Sequence, residues 1–467
     1  MSNPAGGRPP SLQAPFFEPP LERPPPCKTL CFHRPRYLHQ PSNFANRQVF
    51  KHGLGSERRS SGFRHFYDVD GRRQEFFTSV SGLALPEHSL KIAAAHAGLA
   101  NLIDLISITL PEKVMIDAIQ LNREALAFWK ETARNVAAER VAEDDLPASV
   151  LEARWTSGGA LHGRMATLPQ KKRGQLLAMS GGKESLAALK QLEGGKAPTL
   201  FFLHYPDSGW HHGRRLLEYF SRTHECVKVR CDITSTRSLV QKYRCGSYGI
   251  FVIGQIVFSA LLFMDRFSRI SIGNEFSANF GNGTHDGVPV NHQYDKSFAF
   301  ARRLNAYLAA HVTDDFTHDS PFWDWYEYRI ARDFFLDARH LRHWTSCNNS
   351  TASHYFCGAC AKCAFVFLLG AAHGDAALIR RLMDVNMLYN LPLIRSLADI
   401  EAPKPLECVG TKEEVWVALE DIWQKCIWRS SPGLLHYAAQ IRPVIESRLP
   451  AMKRELLRNQ SLKPFGD

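Results

Sequence analysis

Short apolar runs alternate with amphipathic stretches from residue 175 onward. The runs are QLLAMS at 175–180, PTLFFLHY at 198–205, ECVKVRCDI at 225–233 and RISIG at 269–273. Each run has the length of a strand, and apolar residues at helical spacing lie between them. This order predicts an α/β fold with a doubly wound, mostly parallel sheet, because parallel neighbours need right-handed crossovers. In such sheets ligands bind outside the carboxyl ends of the strands.

The preceding segment has a different pattern. FYDVDGRRQEFFTSV alternates apolar and polar residues around Asp70-Gly71, which predicts a β-hairpin. HSLKIAAAHAGLANLIDLI and ALAFWKETARNVAAERV repeat apolar residues at helical spacing. We therefore predict an N-terminal α+β domain at 63–165, a candidate for substrate recognition. An α/β catalytic domain at 166–345 and a helical C-terminal region at 346–467 follow it.

Basic charge is concentrated at the start of the chain. The formal net charge is +11 over 467 residues, and residues 1–66 contribute +7 of it together with eleven of the 26 prolines. This composition predicts a disordered Pro/Arg-rich arm at 1–62, with a transit peptide or a phosphate-binding arm as alternatives. Because little surplus charge remains elsewhere, we expect no nucleic-acid partner.

Apolar stretches and cysteines indicate the compartment. The longest apolar stretch, residues 250–264, is shorter than the roughly 20 residues of a membrane span. It is predicted to form a buried helix, and we expect no membrane partner. No apolar signal-peptide core follows Met1, so the eleven cysteines are expected in the reducing cytoplasm, where metal binding or burial outcompetes disulfides.

The sequence SGGKES lies where the first predicted strand passes into a helix. Its two glycines leave backbone N–H groups open to a common concavity, and the positive end of the helix favours an anion there. The serines supply hydroxyl donors and the lysine supplies positive charge. We interpret the segment as a phosphate or pyrophosphate site that is not a Walker A loop, the alternative being a tight turn capped by serine. The candidate residues are Ser180, Gly181, Gly182, Lys183, Glu184 and Ser185.

Four cysteines form a second motif, SCNNSTASHYFCGACAKC. They are Cys347, Cys357, Cys360 and Cys363. Four thiolates close a tetrahedral zinc site, and the C-x2-C-x2-C spacing places sulfurs on one tight knuckle. Because such a site leaves no open coordination position, we predict a structural Zn²⁺. The alternative is a set of buried, free thiols beside the apolar helix AFVFLLGAA.

Strand, SGG-x-[DE]-S and helix together resemble the PP-loop of the ATP pyrophosphatases, a Rossmann-like class that adenylates substrates. Three further blocks follow in order: GNEFSANFGN at 273–282, VNHQYDKSFAF at 290–300 and the cysteine motif. With the loop and the leading domain they resemble the MurL family of UDP-N-acetylmuramoyl-L-alanyl-L-glutamate epimerases. The resemblance covers roughly residues 63–400 and is densest from 175 to 370.

This resemblance implies an ATP- and Mg²⁺-dependent reaction of peptidoglycan precursor synthesis. The terminal L-glutamate of UDP-MurNAc-L-Ala-L-Glu would be inverted through an acyl-adenylate, with release of AMP and pyrophosphate. The chain departs from the family pattern at Glu184, where Asp is usual, at Phe276, where a basic residue is expected, and at Asp295, where Ser is usual. Since Glu184 keeps a carboxylate, we expect it near Mg²⁺ or pyrophosphate.

The central blocks hold the candidate catalytic residues. They are Glu275, a candidate magnesium ligand or base, and His292, Tyr294 and Lys296 at the start of the next helix, whose dipole favours a substrate carboxylate or phosphate. Asn274 and Asn279 follow the RISIG strand directly and should face the ligand crevice, with Asn274 a candidate for cofactor binding. His204 and Asp207, at the end of the second strand, are candidates near the nucleotide. Capping or packing is the alternative for each. His211 and His212 are expected on the surface.

Other interpretations stay open at this point. A deazaguanine nitrile synthase combines a similar loop with a cysteine zinc cluster, but such chains begin almost at the loop, and about 170 residues precede it here. A tRNA-modifying PP-loop enzyme would need a basic catalytic face. A non-catalytic binding protein with a nucleotide fold is the third alternative, and ATP-dependent pyrophosphate release would eliminate it.

Overall fold

The computed structural model describes residues 26–39, 61–168, 174–205, 211–245, 251–347, 349–351, 354–425 and 430–461. The strands in these ranges are β1 (Thr29–His39), β2 (Ser61–Val69), β3 (Arg72–Val80), β4 (Lys113–Ile116), β5 (Arg154–Ser157), β6 (Gly174–Ala178), β7 (Thr199–His204), β8 (Cys226–Asp232), β9 (Phe267–Ser271), β10 (Gly283–His285), β11 (Val288–Val290) and β12 (Thr317–Asp319).

The α-helices of the described residues alternate with these strands and then fill the C-terminal region. They are α1 (Glu87–Thr109), α2 (Arg123–Glu143), α3 (Lys183–Leu192), α4 (His211–Phe220), α5 (Thr236–Tyr243), α6 (Val252–Ala260), α7 (Phe298–Tyr307), α8 (Glu327–Phe335), α9 (Ala361–His373), α10 (Ala376–Met383), α11 (Leu391–Ala398), α12 (Lys412–Gln424), α13 (Pro432–His436), α14 (Arg442–Ile445) and α15 (Leu449–Leu457).

Ten of the described strands form one sheet in the order β12-β9-β6-β7-β8-β3-β2-β1-β4-β5. The first five run parallel, and the strands predicted from the four apolar runs are confirmed as β6, β7, β8 and β9. β3, β2 and β1 join this half antiparallel, and β4 and β5 continue parallel to β1. The fold is therefore α/β with a large, mostly parallel sheet, and strands of the N-terminal segment extend the same sheet.

Alternate residues of the central strands enter two separate cores. Leu176 of β6 lies in one core with Phe201, and Leu177 lies in the other with Leu200. This division follows from the two-residue period of a strand. The first core contains α1, α2, α6 and α7, and the second contains α3, α4, α8, α9 and α12. Helices thus cover both faces, as a doubly wound sheet requires.

The predicted hairpin is confirmed in β2 and β3. Its turn residues, Asp70 and Gly71, have φ angles of 48° and 77°. Two consecutive positive φ angles are those of a tight turn whose twist matches the paired strands. The Asp70 carboxylate also accepts the backbone N–H groups of Lys28 (2.9 Å) and Thr29 (3.0 Å), which fixes the start of β1.

β1 differs from the expectation for residues 1–62. Where we predicted a disordered arm, Thr29–His39 pairs with β2 and β4, and Cys27, Leu30 and Phe32 are fully buried. Alternating apolar residues bury one face of this strand against α1. The basic, proline-rich composition averaged over residues 1–62 hides this local pattern. The rest of the predicted arm, at 1–25 and 40–60, lies outside the described residues.

Helix α1 is the longest described helix. Of the helices in the described ranges, it alone is long and apolar enough to cross a membrane, and its apolar window is wholly buried inside the protein. It packs against α2 and α6 beneath the sheet. The buried helix predicted at 250–264 is confirmed as α6 and the short 3-10 turn after it, which enter the same core.

Candidate active site

The SGGKES loop leaves β6 and enters α3 at the carboxyl edge of the parallel strands. Gly181 has a φ of +83°, and a Cβ there would lie 2.3 Å from Cδ1 of Leu216 and 2.4 Å from Nε2 of His212. Both the dihedral angle and the close approach therefore require glycine. Oγ of Ser185 accepts a hydrogen bond from the N–H of Gly181 (3.1 Å) and donates to the carbonyl of Gly182 (3.0 Å), which closes the turn.

The N-terminus of α3 has free donors. Its first intrahelical bond runs from the N–H of Leu186 to the carbonyl of Gly182 (3.2 Å). The N–H groups of Lys183, Glu184 and Ser185 therefore have no acceptor within the helix. Orphan donors at the positive end of a helix suit a phosphate group. The backbone around the loop thus fits the anion site predicted from the sequence, with Ser180 exposed beside it.

Lys183 is buried and ion-paired. Its Nζ lies 2.6 Å from Oε1 of Glu327 and also contacts the carboxylate of Glu184. Burial opposes the charge on Lys183, but the two carboxylates outweigh it and raise the pKa of the ammonium. The sequence predicts that the positive charge of Lys183 neutralises a bound anion. In the structure, Glu184 and Glu327 neutralise that charge instead. Glu327, at the start of α8, is a site residue that no local motif indicates.

Glu275 and Asn274 follow β9 and are almost completely buried. Nε2 of Gln293 donates to Oε1 of Glu275 (3.0 Å), whereas Oε2 of Glu275 and Nδ2 of Asn274 have no partner among the described residues. Burial raises the pKa of Glu275, against the effect of nearby Lys296. Buried polar atoms are normally hydrogen-bonded, so two unpartnered atoms on consecutive residues are consistent with a site completed by a ligand.

Lys296 is partly exposed and lies near the acidic groups beside the SGGKES loop, a region that we call the crevice. Burial opposes its charge, but the negative groups of Cys408, Glu275, Glu184 and Glu327 outweigh burial and raise the pKa of the ammonium. No described residue accepts a hydrogen bond from its Nζ. The structure thus brings Lys296, Glu275 and the loop together, as the sequence predicts for residues at one edge of the sheet.

Tyr294 and Asn279 have structural roles. The hydroxyl of Tyr294 accepts a hydrogen bond from Nη1 of Arg303 (2.6 Å), and its ring packs 5.4 Å from that of Phe300. Burial raises the pKa of Tyr294 to about 12. Nδ2 of Asn279 donates to the carbonyl of Phe276 (2.8 Å), and its Oδ1 accepts the N–H of the first residue of α7 (2.9 Å). For both residues the structure favours the packing and capping alternatives.

His204 ends β7 and is partly buried. Ala178 pairs with Phe201, so Gly181 and His204 each lie three residues beyond this pair on neighbouring strands. Burial and nearby cations lower the pKa of His204 to about 4, so its ring is neutral near pH 7. This placement beside the loop agrees with the predicted position near a nucleotide. Asp207 lies outside the described residues.

His212 corrects an expectation. The prediction that it lies on the surface is wrong, since it is only 7% exposed and its Nε2 has no partner among the described residues. Its ring packs 5.2 Å from that of Tyr355, under the glycine turn of the loop. Burial lowers its pKa to about 4. His212 is buried because α4 packs this residue against the loop. The His-His pair in the sequence does not indicate which of the two side chains faces inward. The side chain of His211 lies outside the described residues.

His292 connects two distant parts of the chain. Its Nδ1 lies 2.8 Å from Oε1 of Glu139, and its Nε2 lies 3.3 Å from Sγ of Cys408. Glu139 belongs to α2, and Cys408 belongs to the segment before α12. The sequence identified His292 but neither partner, because 153 and 116 residues separate them from it.

The four cysteines of the second motif converge. All four Sγ atoms lie within 4.8 Å of one another, and those of Cys357 and Cys363 are 3.8 Å apart. Four sulfurs about 2.3 Å from a tetrahedral Zn²⁺ would be separated by about 3.8 Å. The N–H groups of Cys357 and Asn349 each donate to Sγ of Cys347 (3.3 Å), which favours a thiolate there. The donor set therefore fits a structural zinc ion.

A cavity of about 320 Å³ lies apart from this crevice. Its polar lining includes His96, Gln120, Asn122, His162, Tyr307 and His311. β4 and β5 run opposite to β6, so the segments after them reach the other edge of the sheet. The charged groups converge in the crevice beside the loop, so we place the chemistry there.

Fold and site define an α/β protein with a Rossmann-like sheet. A glycine turn with orphan N–H donors lies at the carboxyl edge of this sheet, beside a set of carboxylates and ammonium groups. The family model described as the MurL N-terminal domain matches residues 250–320, and the one described as the MurL C-terminal domain matches residues 343–451. Over these two segments the chain is similar to the MurL family. Both matched segments contribute to the crevice, the first with Lys296 and the second with Cys408.

Curated proteins are also similar to this chain. A protein of Xanthomonas oryzae pv. oryzae is 25% identical over 285 residues, covering 58% of this chain and 61% of the relative. A protein of Micromonospora is 28% identical over 264 residues, covering 55% and 58%. Each is named UDP-N-acetyl-alpha-D-muramoyl-L-alanyl-L-glutamate epimerase. The chain thus spans about three fifths of the length of these relatives.

Proposed function

We propose that this protein is an ATP- and Mg²⁺-dependent epimerase of peptidoglycan precursor synthesis. It would invert the terminal L-glutamate of UDP-MurNAc-L-Ala-L-Glu and release AMP and pyrophosphate. The observation that carries the proposal is that Lys296 and the buried Glu275 lie near a glycine turn whose backbone N–H groups are free to bind an anion. The names of the relatives support the choice of substrate.

The chemistry explains why ATP is needed. The α-proton of a carboxylate is hard to remove because the carbanion would stand beside an existing negative charge. An acyl-adenylate has no such charge on the carboxyl group and can accept the electrons as an enolate. Removal and return of the proton on opposite faces then invert the centre, and water releases AMP. A base and an acid are therefore required within reach of the α-carbon.

The loop residues fit a nucleotide. The orphan N–H groups at the start of α3 and the exposed hydroxyl of Ser180 would bind phosphate oxygens. Oε2 of Glu327 has no partner among the described residues, and Glu184 is partly exposed beside it; carboxylate oxygens are the ligands that Mg²⁺ prefers. Bound Mg²⁺ would neutralise negative charge on the pyrophosphate. Lys183 holds both carboxylates in place.

The groups beyond the loop fit the acyl half of the reaction. The ammonium group of Lys296 makes no hydrogen bond to a described residue. It would bind the carboxyl oxygen on which enolate charge develops. Glu275 has a pKa raised by burial, so its protonated form can donate a proton from Oε2 to the α-carbon. The four cysteines would hold Zn²⁺ for stability, and the bond from the N–H of Thr345 to the carbonyl of Gly181 (3.0 Å) links that region to the loop.

The test is a reaction in deuterated water. Purified full-length protein is incubated with ATP, Mg²⁺ and UDP-MurNAc-L-Ala-L-Glu, and the glutamate is analysed for chirality and isotope. We expect D-glutamate with deuterium at the α-carbon, formed together with AMP and pyrophosphate. Folded protein that binds ATP and yields neither product would overturn the proposal, and AMP without inversion would indicate adenylation of another acceptor.

A matched pair of lysine variants makes this test specific. Lys296→Met removes the ammonium group of the proposed site, whereas Lys130→Met removes an exposed ammonium group on α2. We expect the first to lose roughly 100-fold or more of its inversion rate, as for removal of one group that stabilises developing charge. The second is expected to keep the wild-type rate. Equal rates in the two variants would contradict the role given to Lys296.

A further inference from the structure

Cys408, His292 and Glu139 are joined in sequence by two polar contacts beside the crevice. Sγ of Cys408 lies 3.3 Å from Nε2 of His292, and Nδ1 of the same ring lies 2.8 Å from Oε1 of Glu139. Glu139 is 3% exposed, His292 is 12% exposed and Cys408 is partly exposed. A buried carboxylate that orients an imidazole towards a thiol is the arrangement that activates cysteines for reaction.

The segment that carries Cys408 is fixed at several points. The carboxylate of Glu407 accepts the N–H groups of Ala361 (3.1 Å) and Lys362 (2.9 Å), which caps α9. Nδ2 of Asn282 donates to the carbonyl of Lys404 (3.1 Å), while its Oδ1 accepts the N–H of His292 (2.9 Å). The thiol and the imidazole are therefore held through a shared side chain, so their separation is built into the fold.

The groups around the thiol favour its ionised form. Burial opposes a thiolate at Cys408, but Lys296, Lys362 and His292 outweigh burial and lower its pKa well below the usual value. Burial likewise opposes the charge on His292, and its bonds to Cys408 and Glu139 raise its pKa to about 10. The acidic groups nearby are Glu139, Glu275 and Asp295. A thiolate–imidazolium pair is the arrangement consistent with both directions.

We propose that Cys408 is the base that removes the α-proton of the activated glutamate, positioned by His292 and Glu139. This inference rests on the proposed function. The thiolate takes the proton as the C–H electron pair moves into the enolate of the acyl-adenylate, and Glu275 returns a proton to the opposite face. The Cys408 thiol then releases its proton to solvent through its exposed side, Glu275 regains one, and no oxidant or reductant is required.

Lys296 lies near both Cys408 and Glu275. Cys408 and Glu275 both contribute to the raised pKa of its ammonium, so all three lie within electrostatic reach of one another. An enolate bound to Lys296 would therefore have a sulfur base and a carboxyl acid as neighbours. Cys408 itself lies in the segment that matches the MurL C-terminal domain.

The first experiment compares two cysteine variants in the deuterated-water reaction. Cys408→Ala removes the proposed base, and Cys226→Ser changes another partly exposed cysteine, on β8. We expect the ratio of α-deuterium incorporation to AMP formation to fall about 100-fold or more in Cys408→Ala and to stay unchanged in Cys226→Ser. An unchanged ratio in folded Cys408→Ala would overturn the inference while leaving the epimerase proposal intact. Wild-type protein without inversion would overturn both.

The second experiment does not depend on a folded Cys408 variant. The rate of iodoacetamide modification of Cys408 is followed by mass spectrometry as a function of pH, with Cys226 as internal control because burial raises its pKa to about 11. We expect a midpoint for Cys408 below the ordinary thiol value of about 8.5. Glu139→Gln should move it upward, because the imidazolium loses its carboxylate. A midpoint for Cys408 near the ordinary thiol value that is the same in wild type and in Glu139→Gln would refute the proposed role of His292 and Glu139.

Discussion

Nζ of Lys183 lies 2.6 Å from Oε1 of Glu327, although 144 residues separate them in the sequence. The first belongs to the loop at the carboxyl edge of the sheet, and the second begins a helix on the face that the C-terminal region covers. Because the Lys183 ammonium is 1% exposed, this pair and Glu184 fix the loop to that face. Loop geometry and C-terminal packing are therefore coupled, which leads to the first prediction.

Glu327→Gln should destabilise the protein. Loss of one partner of a buried ion pair costs about 3 to 5 kcal/mol, and since Lys183 retains Glu184 we expect about 3 kcal/mol. The measurement is the urea midpoint of unfolding. Glu152→Gln is the control, because its pair with Arg134 is about half exposed and contributes less than about 1 kcal/mol. Equal midpoints for the two variants would contradict a structural role for the buried pair.

Gly181→Ala should slow pyrophosphate release while leaving most of the fold intact. The new Cβ would collide with Leu216 and His212, and its backbone would be strained by about 1 to 2 kcal/mol. Gly82→Ala isolates the collision, because Gly82 has a similar φ of +73° and nothing lies within 4 Å of its added Cβ. We expect pyrophosphate release to fall at least about tenfold only for Gly181→Ala, which corresponds to about 1.4 kcal/mol. Equal rates would show that the loop tolerates the displacement.

Purified protein should contain one zinc ion per chain, bound by the four cysteines. Cys360→Ser removes one ligand, so elemental analysis should show metal loss and the thermal midpoint should fall. Cys226→Ser, outside the cluster, should retain both the metal and the midpoint. Treatment of the wild type with a strong chelator should reproduce the lower midpoint. Full metal content in Cys360→Ser would contradict this assignment.

Asp295 should make stability depend on pH. Burial raises its pKa to about 7, from an ordinary value of 3.8 for an exposed aspartate. The folded state prefers the protonated form of Asp295, so protonation adds to the free energy of unfolding. This stabilisation is complete below pH 3.8 and is lost as the pH rises through about 7. Asp295→Asn keeps an acceptor for the N–H of Ile253 without the charge. Its thermal midpoint should therefore rise relative to wild type across that window.

The control for this prediction is Asp314→Asn. Asp314 is 73% exposed and pairs with Arg164 on the surface. The thermal midpoint of Asp314→Asn should differ from that of the wild type by the same amount at every pH in this window. A constant difference for Asp295→Asn as well would mean that Asp295 ionises freely in the folded protein.

Local patterns predicted much of the fold because they act over a few residues. The alternation around Asp70-Gly71 and the apolar run before Ser180 each specify an element without reference to distant parts of the chain. β1 was missed because a composition averaged over 62 residues hides a strand whose stability comes from pairing with β2 and β4. His212 was misplaced for a similar reason, since packing of α4 against the loop decides its burial.

The sequence by itself determined the elements of the parallel half-sheet, the glycine turn, the spacing of the four cysteines and the resemblance to the MurL family. These signals depend on backbone conformation, periodicity and short-range spacing, which adjacent residues carry. Only the tertiary structure decided that Lys183 is paired internally with Glu327 and that His292 joins Glu139 to Cys408. Those contacts depend on how the helices fold back onto the sheet, and the energy of burying charge is set by neighbours that lie more than a hundred residues away.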